Sequence, residues 1–211
     1  MAFRMSKRAF LVGSTALAAA LAMPGTPWAG DFSTGARTFL ESLAERVIRE
    51  LTPKEIDRAE RDRRFRSILK EHFAVEAIAQ WVLGASWRRT TEGERKEYLR
   101  LFEDLIVATY VNRFETYKGE KMQVTDSQMK GEDDALVNTR IDMQDGSDPL
   151  KVDWRVRQRR SDGAFKIVDV IVEGISMSQT QRSEFASVIH KHGGEIAPFL
   201  EELRERVKKA A

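Results

Sequence analysis

The sequence predicts an α+β domain, a four-stranded antiparallel sheet cupped by helices. Three observations carry this. Apolar residues recur at helical spacing from Phe39 to Tyr117, four short segments between Met122 and Val172 read as strands divided by turn residues, and helical spacing returns after Gly174. With 42% hydrophobic residues in 211, the chain can bury a sizeable core, which excludes disorder as its main state.

In the first block Phe39, Leu43, Val47 and Leu51 fall four apart, and Phe65, Ile68, Leu69 and Phe73 follow at spacings of three, one and four. Both runs predict amphipathic helices, with Thr52 as N-cap and Pro53 opening the second. The mixed charges of Lys54 to Arg64 read as a solvated helix face. A short apolar helix, Ala74 to Leu83, is ended by Gly84. Thr91 with Glu94 three positions on has capping-box spacing and opens the longest helix, expected to reach Tyr117 before Gly119 stops it. Tyr98, Leu101, Phe102, Leu105, Ile106, Thr109, Tyr110, Phe114 and Tyr117 form a broad apolar stripe along it. Such a stripe serves an ordinary core or a ligand cavity.

The strands are expected at Met122 to Met129, Ala135 to Met143, Leu150 to Arg159 and Ala164 to Val172. Gly131 to Asp134, Asp145 to Pro149 and Ser161 to Gly163 supply turn chemistry between them. The third strand sets Val152, Trp154 and Val156 on one side and Asp153, Arg155 and Arg157 on the other, so one face is wet. Ile106 and Tyr110 share a helix face, and they are expected to oppose Trp154 and Val156 across the interior. Two helices, Ser176 to His192 and Glu195 to Lys209, complete the chain.

The first residues read as a secretory signal. Lys7-Arg8 precedes an alanine-rich apolar run from Ala9 to Met23, then Pro24, Gly25, Pro27 and the small residues Ala29-Gly30. The expected signal spans 1–29, and the mature chain is expected to begin near Gly30 as a soluble periplasmic monomer. Ser6 to Leu11 approaches the twin-arginine pattern with Lys in place of the first arginine, which leaves the export route open. Without Arg4, Lys7 and Arg8 the formal charge drops from +2 to about −1, and a nucleic-acid role loses its compositional support.

The absence of cysteine excludes disulfides, thiolate ligands, a cysteine nucleophile and a lipid-modified cysteine. His190 and His192 would point about 200° apart on a helix, and His72 lies in another element, so a surface role fits all three better than a metal site. Gly-x-Ser-x-Gly and glycine-rich phosphate loops are missing, and no cofactor is expected. Lys151, Arg155, Arg157, Arg159 and Arg160 form a one-signed basic face. That face is either a solvated surface that discourages edge pairing or a dock for an acidic partner or lipid headgroups, with Arg155, Arg157 and Arg159 as the docking residues.

Longer motifs carry a resemblance. Ile78-Ala79-x-x-Val82-Leu83-Gly84-x-x-Trp87-Arg88, Thr91-x-x-Glu94-Arg95, Phe102, Thr109-Tyr110 and Tyr117-x-Gly119-Glu120 occur in order, followed by Asp169 to Met177 (Asp-Val-Ile-Val-Glu-Gly-Ile-Ser-Met) and Arg182-Ser183-Glu184-Phe185. Together they resemble the MlaC family, periplasmic phospholipid-shuttle proteins of the Mla lipid-transport system, over nearly all of the chain after Thr38. The sequence departs from the family pattern at Phe165, where many members have Trp, and at Gln181, which stands for a common Tyr.

The resemblance implies a nuclear-transport-factor-like sheet with extra helices around an apolar pocket for acyl chains. It divides 30–211 into helices to 119, sheet over 120–174 and C-terminal helices from 175. It places the lipid against Leu83, Phe102, Leu105, Ile106, Tyr110 and Phe114 on the helices, and Val152, Trp154, Val156, Ile167, Val170, Val172 and Ile175 on the sheet side. The implied partners are a phospholipid, an inner-membrane ABC transporter complex with its membrane-anchored lipid-binding subunit, and an outer-membrane lipoprotein bound to porins. A hopanoid or other polycyclic lipid is the alternative cargo. An enzyme using Asp169 with Tyr110 or Tyr117 as acid and base, and an adaptor with a filled interior, are the competing classes.

Overall fold

The computed structural model describes residues 29–211, so the expected signal segment lies almost wholly outside the described residues. Helix α1 (Ala29–Leu51) buries Ala36, Leu40, Leu43 and Leu51 along one stripe. Helix α2 (Arg58–His72) is capped by Asp57, whose carboxylate accepts from the Glu60 N–H at 2.7 Å. Thr52 does not open α2 as expected; its hydroxyl donates to the Ile48 carbonyl at 2.7 Å and closes α1. The reason is Arg61. It is 5% exposed, not part of a solvated face, and donates to the carbonyls of Leu51, Pro53 and Ile56, which holds the connector in a non-helical path.

Helix α3 (Val75–Leu83) passes through a 3₁₀ turn (Gly84–Arg89) into α4 (Glu92–Tyr110), which has the reciprocal Thr91–Glu94 capping box the spacing predicts. Helix α4 stops short of Tyr117. The chain turns at Val111 into the short α5 (Asn112–Glu115), because the apolar stripe serves two cores and the turn re-aims Phe114 from one to the other.

The sheet has five strands in the order β1 (Lys121–Met129), β2 (Asp134–Asp142), β3 (Leu150–Gln158), β4 (Phe165–Val172) and β5 (Ile175–Ser176), all antiparallel. The fifth corrects the expected four. Glu173 and Gly174 both have positive φ, 48° and 79°, which folds Ile175-Ser176 back onto Ile171-Val172 in a tight hairpin. Two residues are too few to show an alternation. Farther along β4, Ile167 bridges to Phe73 and accepts from the Ala74 N–H at 3.0 Å, so this edge is covered along much of its length. Helices α6 (Met177–Lys191) and α7 (Ile196–Ala210) follow close to their expected bounds.

Two cores result. The helical core joins α3, α4, α6 and α7 around Tyr98, Phe102, Phe185 and Phe199. Tyr98 is fully buried with its hydroxyl donating to the Ala79 carbonyl at 2.8 Å, and burial pushes its phenol well above the ordinary tyrosine range. The sheet core joins α1 and α2 to Val137, Val156 and Ile167. A seam of Leu69, Val107 and Val111 connects the two. Helix α4 packs on α7, α2 and α3, and Ile106 packs against the helical core and the seam while Trp154 and Val156 belong to the sheet core. Val156 shares that core with Leu40 of α1 and Ile68 of α2.

Candidate functional site

Register fixes which residues face inward: Ala135 lies opposite Val156, Val137 opposite Trp154 and Thr139 opposite Val152, and across β3 Trp154 meets Val170 and Val152 meets Val172. Helix α1 covers the β1–β2 half of this face, while α2, α3 and α6 reach β4. Val156 and Ile167 are fully buried. Toward the start of β3 and the end of β4 burial is incomplete, and Trp154, Val170 and Val172 are only partly covered, as are Met122, Ile141 and Leu150 near the same end. This apolar strip is the candidate lipid-facing surface.

Trp154 is prepared for an apolar neighbour. Its indole N–H donates to the Thr139 hydroxyl at 3.1 Å, and that hydroxyl donates to the Val152 carbonyl at 2.5 Å. The ring's one polar group is thus satisfied inside the protein, which leaves the rest of the indole as hydrocarbon-like surface. Thr139 was missed by sequence reasoning. Its signal was a hydroxyl residue at an inward position of the alternation Ala135, Val137, Thr139.

The predicted lipid residues divide among different sites. Leu83 and Phe102 are buried in the helical core, and Leu105 and Ile106 lie partly covered at its margin. Phe114, Trp154, Val156, Ile167 and Val170 belong to the sheet core, with the Phe114 ring 5.7 Å from that of Phe65. Val152 is buried on the same face as Trp154, Val172 is half-buried, and Tyr110 and Ile175 are 38% and 59% exposed. Two surface hollows of about 500 and 460 Å³ are lined largely by other residues.

The basic face of β3 is not one-signed once folded. Arg157 makes a bidentate pair with the buried Asp134 at 2.6 and 3.0 Å, Arg159 pairs with Asp162, and Arg160 with Asp133 at 2.7 Å. Arg155 is half-buried, with its Nε enclosed and unbonded. Asp169 accepts from the Ser176 hydroxyl at 2.6 Å and the Ser178 N–H at 3.1 Å, and Ser176 in turn caps α6. The carboxylate therefore ties β4 to α6. Tyr117 donates to the Glu120 carbonyl at 2.8 Å, so neither side chain is hydrogen-bonded to the other.

His72 is half-buried rather than a plain surface residue, with Nε2 at 2.9 Å from Arg46 Nη1 and its ring 5.7 Å from that of Phe39. Burial holds its imidazole below the usual histidine range; Glu71 opposes this, and Arg46 and Lys166 add to it. The unfolded chain then binds the proton more readily, so stability is lost as pH falls below about 6.5, the ordinary value. Thermal melts from about pH 7.5 to 5 should show this decline, and His72→Gln should flatten it.

The fold and this site define a class: an α+β domain whose sheet keeps part of its inner apolar face uncovered. The family model described as MlaC protein matches residues 41–205, and the chain belongs to the MlaC family. The intermembrane phospholipid transport system binding protein MlaC of Haemophilus influenzae is 23% identical over 130 residues, 61% of this chain. The match spans about 60% of that relative's length. A phospholipid-binding protein from Ralstonia solanacearum, solved in complex with a phospholipid, has the same fold, with a TM-score of 0.71 over 83% of this chain and 98% of its own at 18% identity.

Proposed function

We propose that this chain is a periplasmic lipid carrier, which holds phospholipid acyl chains against the open strip of the sheet's inner face and shuttles lipid between outer- and inner-membrane complexes. The observation that carries this is the Trp154, Val170 and Val172 strip, apolar, internally hydrogen-bonded and only partly covered, in a chain of the MlaC family. The antiparallel meander with helices packed against it fits a nuclear-transport-factor-like sheet with extra helices. Residues 1–29 act as the export signal, and the mature chain works as a monomer.

Two acyl chains of about 15 carbons each represent ~24 kcal/mol against water at ~0.8 kcal/mol per methylene. Free lipid therefore crosses an aqueous gap very slowly. A carrier needs only an interior about as apolar as the bilayer, because the two large transfer terms then nearly cancel. No catalytic group is required, and Asp169 is already engaged in joining β4 to α6. The partners in this reading are an inner-membrane ABC transporter complex with its membrane-anchored lipid-binding subunit and an outer-membrane lipoprotein-porin complex. A hopanoid is the second cargo, favoured by the flat indole of Trp154, which suits a fused-ring lipid.

Shuttling is tested with donor vesicles carrying a self-quenched fluorescent phospholipid and unlabelled acceptors. The protein should raise the transfer rate in proportion to its concentration. A rate equal to that of vesicles alone, with protein still folded, contradicts the carrier reading.

A further inference from the structure

The lipid reading leaves the surface around the 3₁₀ turn without a role. Trp81, near the end of α3, is 44% exposed, and the Arg182 guanidinium of α6 lies over its ring at 4.7 Å. Arg182 Nη1 also donates to the Trp81 carbonyl at 2.8 Å. Gly84, at φ 61°, completes the seat, because a Cβ there would stand 3.2 Å from the guanidinium. Trp81, Trp87, Arg88 and Arg182 line a hollow of about 500 Å³ whose small residues are Ala77 and Ala85.

Charge at this place is uncompensated. Arg88 is exposed and has no ion-pair or hydrogen-bond partner among the described residues. Arg89 donates to the Ser86 hydroxyl and the Gly194 carbonyl; Arg95 donates to the Thr90 hydroxyl and the Trp87 carbonyl, with its guanidinium 5.1 Å from the Trp87 ring centre. None of the four arginines has a carboxylate partner among the described residues. Glu184, one turn from Arg182 at most, is directed to Arg206 at 3.7 Å and to Gln181. On β3, by contrast, Arg157, Arg159 and Arg160 are each paired with an aspartate.

We propose that this hollow docks an acidic segment of a partner protein, with Arg88 and Arg182 receiving its carboxylates and Trp81 and Trp87 its apolar flank. Guanidinium forks match carboxylates, and buried Trp and Arg dominate protein interfaces. The hollow is shallow and open, and one face of Trp81 is already occupied by Arg182, so the guanidinium and the remaining indole face are presented side by side to a partner's side chain. The proposal does not rest on the lipid reading, since none of the strip residues takes part.

The test uses the full protein and a fluorescein-labelled peptide alternating glutamate with leucine, followed by anisotropy. Binding is expected, weakening with added salt and falling roughly tenfold in Arg88→Glu, while Arg159→Glu changes it little. Arg88 has no bonding partner among the described residues, so Arg88→Glu should keep the wild-type circular dichroism spectrum and melting point, and Trp81→Ala should weaken binding independently. Three results overturn the proposal: no binding of the peptide; binding unchanged in Arg88→Glu; or no peptide binding together with flotation on phosphatidylglycerol vesicles that Arg88→Glu abolishes, which makes the patch a membrane contact.

Discussion

Phe185→Ala should lower stability by ~3 to 5 kcal/mol, the range for removing a fully buried aromatic ring. Phe185 has no exposure and packs against the rings of Phe199 at 4.9 Å, Tyr98 at 6.2 Å and Phe102 at 6.4 Å. These neighbours come from α4 and α7, and are held in turn by the Tyr98 bond to Ala79, so the cavity can collapse little. For a domain of this size the melting temperature should fall by roughly 10 °C. Because the ring neighbours of Phe185 all belong to the helical core and the strip residues to the sheet side, the variant should keep its lipid below its melting point. Melting curves and lipid content measured on one preparation check both statements.

Val170→Glu should do the reverse. Val170 lies beside Trp154 on the inner face and is partly exposed, so a carboxylate there can still reach water in the lipid-free protein, and the fold survives. With acyl chains against the strip the same carboxylate would be desolvated without a partner, at a cost of several kcal/mol. Extractable lipid should drop about tenfold or more, with the melting temperature moving toward that of solvent-delipidated wild type. Val156→Glu is the contrasting case. Val156 is fully buried between Ala135 and Ile167, and a charge there should prevent folding.

The contrast between these two valines shows what the sequence made legible and what it did not. Strand alternation places Val152, Trp154 and Val156 on one face, and the structure agrees, because a period of two leaves a strand only two choices. Strand and helix bounds come out close for similar reasons, with the Thr91 capping box and the glycine-bearing turns as local signals. The partner of each face was not legible. One stripe along α4 and α5 feeds Phe102 into the helical core and Phe114 into the sheet core, and periodicity cannot record the turn at Val111 that separates them. Nor do the closely spaced Arg157, Arg159 and Arg160 reveal in sequence that Asp134, Asp162 and Asp133 neutralise them after folding. The arginines that stay unpaired were in view only as motif letters, since Arg88 and Arg182 lie far apart in sequence and meet only when α6 docks on α3. Degree of cover, which separates the partly exposed Val170 from the fully buried Val156, is set by how the helices pack on the sheet, a fact of tertiary packing that strand alternation does not record.

The carrier reading stands most directly on what the purified protein holds. Extracting the full-length expressed protein with organic solvent and analysing the extract by mass spectrometry should recover phospholipid at close to one molecule per chain, depleted in Val170→Glu and retained in Phe185→Ala. A hopanoid in its place would keep the strip and change the cargo. An extract with no lipid above that of a control protein purified alongside, from a preparation that is folded and monomeric, would contradict the account.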